Sequence, residues 1–385
     1  MRRPRTSVPE IWGHLSRSSQ PSGISSPAPF LHHRHDATTT GGDTMTTTHP
    51  GSAQAEDHFH EVSPEPILRL ASGFMAAKHL FAASELGVFE ALAEAPATLE
   101  ALAARTGLTP RAARITADAM VAVGLIERDG ETYRNGPAAA RYLAGRTPAD
   151  LRPLLRFWDQ ISYPTWEALA EALGSGPRQE VFDLDEAQQE IVSAGIEAIL
   201  AGPARSLAES VDFSAHRRLL DVGGGTGSWS IAAVERHPHL HATVLDLPAT
   251  ADIARRRVHA AGLADRIDVV AADAMTSDLP RGHDVFLLAN VAHYWSPDTN
   301  VALLERIRRA ASPGGRLLLV DFWTDPTHTQ PVQAALMAGE FAVHLREGDV
   351  YSVEEVRAWL PQAGWRFVEH AQLVGPQSVI TAEAE

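Results

Sequence analysis

The sequence predicts an α/β protein, a parallel sheet covered on both faces by helices, preceded by a smaller helical domain that ends in a hairpin. Three observations carry this. From Arg217 onward, apolar runs of strand length alternate with helical patterns, the signature of a parallel sheet buried on both sides. The first run, Arg218-Leu219-Leu220, leads into Asp221-Val222-Gly223-Gly224-Gly225-Thr226-Gly227-Ser228, and a helical pattern follows from Trp229 to Arg236. Strand, glycine turn, helix is the arrangement that holds a nucleotide-like ligand at a strand's carboxyl end. Upstream, between about residues 98 and 134, the order is helix, turn, helix, hairpin, which is a winged helix.

Composition narrows the function. The 385 residues suffice for two or three domains. Cysteine is absent, so thiol nucleophiles, disulfides and Cys-based metal sites are excluded, as suits a cytoplasmic enzyme. A formal charge of −15 opposes a broad nucleic-acid footprint and favours a small-molecule partner. No apolar run approaches the ~18 residues of a membrane span.

In chain order, residues 1–58 are rich in Ser, Thr, Pro, His and Gly and read as a disordered tail. Arg2, Arg3 and Arg5 precede no apolar segment of an export signal, and Met45 offers a second start. His32, His33 and His35 belong to this solvated tail. Residues 59–150 form the winged-helix domain. Its first helix starts near Pro64, with Ile67, Leu70, Phe74 and Phe81 at helical spacing. Thr98 caps the next helix with half a capping box, and Pro110 opens the one after it. Asp129-Gly130 turns the hairpin between 125–128 and 131–134. Arg105, Arg111 and Arg114 are diluted by Ala, Glu100 and Asp118, so a structural or dimerising role fits better than DNA binding. Residues 151–210 form connecting helices at 151–157, 163–173 and 187–207. Trp158 and Tyr163 there either wall a flat substrate or pack between helices. Residues 211–385 carry strands at 217–222, 241–246, 266–271, 284–290 and 315–322, then two more at 365–373 and 377–382.

Ligands of such sheets sit at the carboxyl ends of strands. A dinucleotide fingerprint fails in both registers, because Ser228 or Ser230 stands where the third glycine belongs. Asp221, just ahead of Gly223, Gly225 and Gly227, suits a ligand ammonium. Asp246, with Leu247, ends the second strand about twenty residues on, where an acid binds ribose hydroxyls. Asp273-Ala274-Met275 ends the third strand and offers an acid and a thioether to an adenine ring. The fourth runs into Asn290-Val291-Ala292-His293-Tyr294-Trp295. His293 there is the candidate general base, and Trp295 can pack on an adenine or a sulfonium.

The pattern Asp221-x-Gly223-x-Gly225-x-Gly227 resembles motif I of class I S-adenosylmethionine (SAM) dependent methyltransferases. With Asp246-Leu247-Pro248, Gly262-Leu263, Asp273, His293-Tyr294-Trp295, Pro313-Gly314-Gly315 and Ala363-Gly364-Trp365, the chain from about Pro64 is similar to small-molecule O-methyltransferases. That family joins a winged-helix dimerisation domain to a SAM-binding Rossmann-like domain, mostly parallel with an antiparallel C-terminal strand. The resemblance implies a homodimer that binds SAM and methylates a small aromatic or polyketide-like acceptor. It assigns the general base to His293 and base-orienting acids to Asp321 and Asp349. Asp221, Gly223, Gly225, Gly227, Asp246, Leu247, Asp273, Ala274, Met275, Asn290 and Trp295 would form the cofactor site. His344, Trp158, Tyr163 and Tyr294 would face the acceptor. Two positions depart from the family: Tyr294 replaces an acid after the base, and Ala289 replaces a basic residue before it. Methyl transfer to carbon, a metal held by His293 and His344, and a metabolite-sensing winged-helix regulator are the competing readings.

Overall fold

The computed structural model describes residues 63–178, 180 and 184–385. The tail expected over 1–58, with its histidines, lies outside them. Helix Glu65–Glu85 opens the described chain, and helices Leu99–Thr106 and Pro110–Ala122 follow. Thr98 and Thr109 cap these two by accepting the Ala101 and Ala112 N–H groups, at 3.3 and 3.2 Å. Strands β1 (Ala97–Thr98), β2 (Ile126–Asp129) and β3 (Thr132–Asn135) form a small antiparallel sheet in the order β1-β3-β2, the wing.

The large sheet holds β4 (Arg218–Val222), β5 (His241–Asp246), β6 (Ile267–Ala271), β7 (Val285–Ala289), β8 (Arg316–Asp321), β9 (Trp365–Gln372) and β10 (Ser378–Ala384). Their order is β6-β5-β4-β7-β8-β10-β9. Strands β4 to β8 pair in parallel, while β10 lies antiparallel between β8 and β9. Each predicted strand of this sheet is present within two residues of its expected ends. The chain leaves β4 for β5 on one side and returns to β7 on the other, so the topological switch point lies at the carboxyl end of β4.

Both faces of the sheet are buried, which explains the continuous apolar runs. In β8, Leu317 and Leu319 belong to the core on one face, with Leu303, Leu304, Val356 and Leu360, while Leu318 and Val320 belong to the core on the other, with Leu207, Trp229 and Val258.

The connecting region differs from expectation. Helix Arg152–Phe157 runs into a π-helical turn, Trp158–Ser162, then the short helices Tyr163–Trp166 and Leu169–Ser175. Pro164 has no N–H for the α-helical ladder, and the π turn accommodates the break. Helix Glu186–Ser210, at 25 residues, is long and apolar enough on average to cross a membrane, although Glu190, Glu197 and Arg205 interrupt it and leave no continuous apolar run of that length. Within this fold Pro203, Ala204, Leu207 and Ala208 are buried, and Ala204 and Leu207 pack with the sheet core.

Candidate active site

The glycine turn closes onto β5. Gly223 and Gly224 both donate to the Leu245 carbonyl, at 2.8 and 3.2 Å, and Gly225 donates to Asp246 Oδ2 at 2.8 Å. Gly223, with φ of +67°, leaves no room for a side chain, since a Cβ would stand 2.8 Å from Val291 Cγ2. Gly224 lies directly over Asp221, where a Cβ would meet the carboxyl carbon at 2.7 Å.

Asp221 is fully buried. Its Oδ2 accepts the Ser230 hydroxyl at 2.7 Å, and its Oδ1 has no partner among the described residues. Burial, and then the charge of Asp246, pushes this carboxyl up to about 7. Asp246 accepts the Leu247 N–H through Oδ1 at 2.8 Å, so it ties the end of β5 to the glycine turn. Burial also raises the Asp246 carboxyl. Leu247 is exposed at the mouth of the site. Asp273 accepts the Met275 N–H at 2.8 Å and the Thr276 hydroxyl at 2.9 Å, so it caps its own turn, with Ala274 and Met275 half-buried behind it. Asn290 takes the left-handed conformation (φ +58°), and its buried Oδ1 has no donor among the described residues.

These features fit the cofactor that the motif implies. Two buried oxygens at the switch point, on Asp221 and Asn290, each lack a donor, and an ammonium and hydroxyls are donors. Gly225, open on its outer side, lets a ligand approach the backbone.

His293 sits on a 3-10 turn, Ala292–Tyr294, which directly follows the Asn290-Val291 segment after β7. Asp321 closes the neighbouring strand β8. Its Oδ1 stands 2.8 Å from His293 Nδ1 and accepts the Phe322 N–H, while Oδ2 accepts the His293 N–H at 3.3 Å. The imidazole stacks on Phe341, with centroids 4.0 Å apart and planes 6° apart, and Tyr294 covers it at 4.5 Å. With Nδ1–H donated to the carboxylate, Nε2 is the acceptor, and it has no hydrogen bond to any described residue. Tyr294 lies among Phe322, Phe341 and Leu345. Burial, then the Asp321 and Asp246 charges, pushes its hydroxyl up to about 12. Trp295 is half-buried, and its carbonyl accepts Tyr351 Oη at 2.5 Å and Asn300 Nδ2 at 3.1 Å.

Expectations at three residues need correction. Asp349 is exposed and accepts the Val350 N–H, so the structure does not bring it to His293. Its neighbour Gly348 packs there instead, against the His293 carbonyl. Trp158 and Tyr163 turn toward the N-terminal core, where the Lys78 ammonium lies 4.8 Å from the Tyr163 centroid. Their neighbours in the chain, Gln160, Ile161, Pro164 and Thr165, line a cavity of about 230 Å³ together with His344.

Three residues near the site carry no signal in the sequence. Phe341 is the stacking partner of His293, and Glu340 is the partner of His344. Arg257 donates to the Thr226 carbonyl, the Thr226 hydroxyl and the Ser228 hydroxyl, at 3.1, 2.7 and 2.9 Å. The guanidinium also reaches Glu197 at 3.3 Å, bracing the glycine turn from behind.

Comparison with known proteins agrees with this geometry. Residues 166–366 match the O-methyltransferase domain family and residues 68–145 the O-methyltransferase dimerisation domain. The chain is 33% identical over 331 residues to the tetracenomycin polyketide synthesis 8-O-methyl transferase of Streptomyces glaucescens, covering 84% of this chain and 97% of that protein. It is also 33% identical over 313 residues to an N,N-dimethyltransferase of Streptomyces rimosus, covering 78% and 90%. Human N-acetylserotonin methyltransferase, solved in complex with SAM, superposes with a TM-score of 0.75 at 26% identity, over 86% of this chain and 99% of that one. The chain belongs to the O-methyltransferase family and is a SAM-dependent methyltransferase of small metabolites, carrying an N-terminal dimerisation domain.

Proposed function

We propose that the enzyme methylates a hydroxyl of a small aromatic or polyketide-like metabolite, with His293 as general base. The observation that carries this is the His293–Asp321 pair, in which one imidazole nitrogen is engaged and the other is left to accept a proton. A phenol, with an ordinary pKa of about 10, is a poor nucleophile until it is deprotonated. His293 Nε2 takes that proton, Asp321 fixes the ring and stabilises the imidazolium, and Phe341 keeps the ring from turning. Bound SAM supplies an electrophilic methyl group on a sulfonium. Asp221, the glycine turn, Asp246 and Asn290 hold it, with Asp273, Ala274 and Met275 beside the adenine; most of the rate gain is positioning.

The division into a dimerisation domain to about residue 150, connecting helices to 210 and a methyltransferase domain beyond belongs to this reading. So do a homodimeric assembly and a cytoplasmic setting. The first test is His293→Ala, with turnover and S-adenosylhomocysteine (SAH) affinity measured side by side. A loss of turnover of at least about a hundredfold with affinity unchanged supports the base; equal loss of both makes His293 structural. The Streptomyces rimosus relative is named for transfer to nitrogen, and carbon is the other competing acceptor. The carbon shift of the new methyl group in NMR distinguishes all three.

A further inference from the structure

His293 sits on a short element with little support of its own. In the 3-10 turn Ala292–Tyr294 the Tyr294 N–H donates to the Val291 carbonyl at 3.0 Å, and the Trp295 N–H reaches the Ala292 carbonyl only at 3.3 Å. What fixes the turn comes from outside it. On one side Asp321, at the end of β8, accepts the His293 N–H. On another stands Asn300, near the start of helix Pro297–Ala310 and 2% exposed. Its Nδ2 lies 2.9 Å from the Ala292 carbonyl and 3.1 Å from the Trp295 carbonyl. An amide nitrogen carries two protons, and here each has one carbonyl, at either end of the pair His293-Tyr294. The Trp295 carbonyl also accepts Tyr351 Oη, and Gly348 sits so close to the His293 carbonyl that no side chain fits there.

The other half of the amide is unspent. Asn300 Oδ1 is buried and has no donor among the described residues, while Leu288, Leu304, Leu319, Trp323, Val356 and Trp359 surround the side chain with apolar walls. A buried oxygen without a donor costs free energy, and an apolar side chain of similar size avoids that cost. Asn is also a poor residue for a helix. Stability alone does not call for an amide at this position; the two carbonyls of the turn do. We infer that Asn300 is a positioning residue for the base, pinning both ends of its turn so that His293 meets Asp321 and the acceptor in one geometry. This rests on the reading of His293 as general base.

The test is Asn300→Leu, which keeps the bulk and removes both donors. Four quantities are measured: methyl transfer from labelled SAM to the naphthol that the wild type methylates fastest, SAH affinity, thermal stability, and the downfield proton signal of His293 Nδ1–H. That signal is identified by its absence from His293→Ala. Turnover should fall at least about tenfold, with SAH affinity and naphthol KM within about twofold and the unfolding midpoint within about 4 °C of the wild type. The signal should broaden through exchange with water as the turn loosens. Asn300→Ser keeps one donor and should recover part of the turnover and of the sharp signal; it carries the test should Asn300→Leu not fold. Unchanged turnover with an unchanged signal overturns the inference. So does a parallel loss of turnover, SAH affinity and thermal stability, which makes Asn300 ordinary core packing. If His293→Ala keeps its turnover, the base reading falls, while a broadened signal in Asn300→Leu still shows Asn300 holding the turn. If His293→Ala is inactive and Asn300→Leu fully active, this inference alone falls.

Discussion

His293 and Asp321 are joined twice: Nδ1 stands 2.8 Å from one carboxylate oxygen, and the His293 backbone N–H donates to the other at 3.3 Å. The carboxylate thus sets both the tautomer and the position of the turn that carries the base. Asp321→Asn removes the charge but keeps the shape, so the amide can present its NH2 to Nδ1 and leave the proton on Nε2. Turnover should fall by roughly a hundredfold or more while acceptor and SAH affinities stay within about twofold. Steady-state kinetics beside SAH titration checks this, and an unchanged kcat would remove Asp321 from the mechanism.

Asp221 makes cofactor affinity depend on pH. Its carboxyl titrates near 7 in the free protein, well above the unfolded value of 3.8, because it is buried with one oxygen lacking a partner. A folded value above the unfolded one means that ionising Asp221 opposes folding. That penalty is absent below about pH 4 and grows until about pH 7. An ammonium delivered by SAH favours the carboxylate, so binding releases a proton below pH 7. Affinity should rise about tenfold between pH 6 and 8 and then level off. Asp221→Asn should flatten the curve. Calorimetry in buffers of different ionisation enthalpy measures the proton release directly; a flat wild-type curve would separate Asp221 from the ligand.

The sheet was legible because its signals are local. The apolar runs of β4, β5, β7 and β8 are continuous since both faces are covered, and the turn Gly223 to Gly227 needs backbone conformations that only glycine takes readily. Strand ends then located Asp221, Asp246 and His293 by topology alone. What failed depends on which way a side chain points after packing. For Trp158 and Tyr163 the sequence leaves a substrate wall and core packing open, and the fold packs both against the N-terminal core. Asp349 is exposed, and its neighbour Gly348 is the residue that packs against the His293 carbonyl. Glu340 and Phe341 sit on an Ala-rich helix whose apolar pattern marks no single face, and nothing local distinguishes them from surface and core residues.

Gly223 and Gly225 both have positive φ, at +67° and +57°, but only Gly223 is crowded. Gly225→Ala meets no atom within 4 Å and carries backbone strain alone, about 1 kcal/mol or somewhat more. Gly223→Ala adds a clash with Val291 Cγ2, so either Val291 or the turn must shift. Thermal denaturation should show Gly223→Ala as the less stable of the two by at least about 1 kcal/mol, with the larger loss of SAH affinity, because Val291 adjoins Asn290 and leads to His293. Equal stability of the two variants would mean that Val291 yields freely.

Among the described residues, helix Glu65–Glu85 shows the clearest exposed apolar surface. Ile67, Leu70 and Phe74 follow an i, i+3, i+7 spacing and are 71%, 83% and 50% exposed, with Leu68 and Met75 alongside. An exposed apolar stripe of this kind marks a contact surface, and it lies at the start of the segment matching the dimerisation domain. The wild type should sediment at twice the chain mass, and Leu70→Glu with Phe74→Glu should yield a monomer. Since neither Leu70 nor Phe74 belongs to a core cluster of the described residues, the variant should keep its near-native circular dichroism. If it remains dimeric, the interface lies elsewhere, and the exposed Val332 and Leu336 of helix Val332–His344 are the next residues to change.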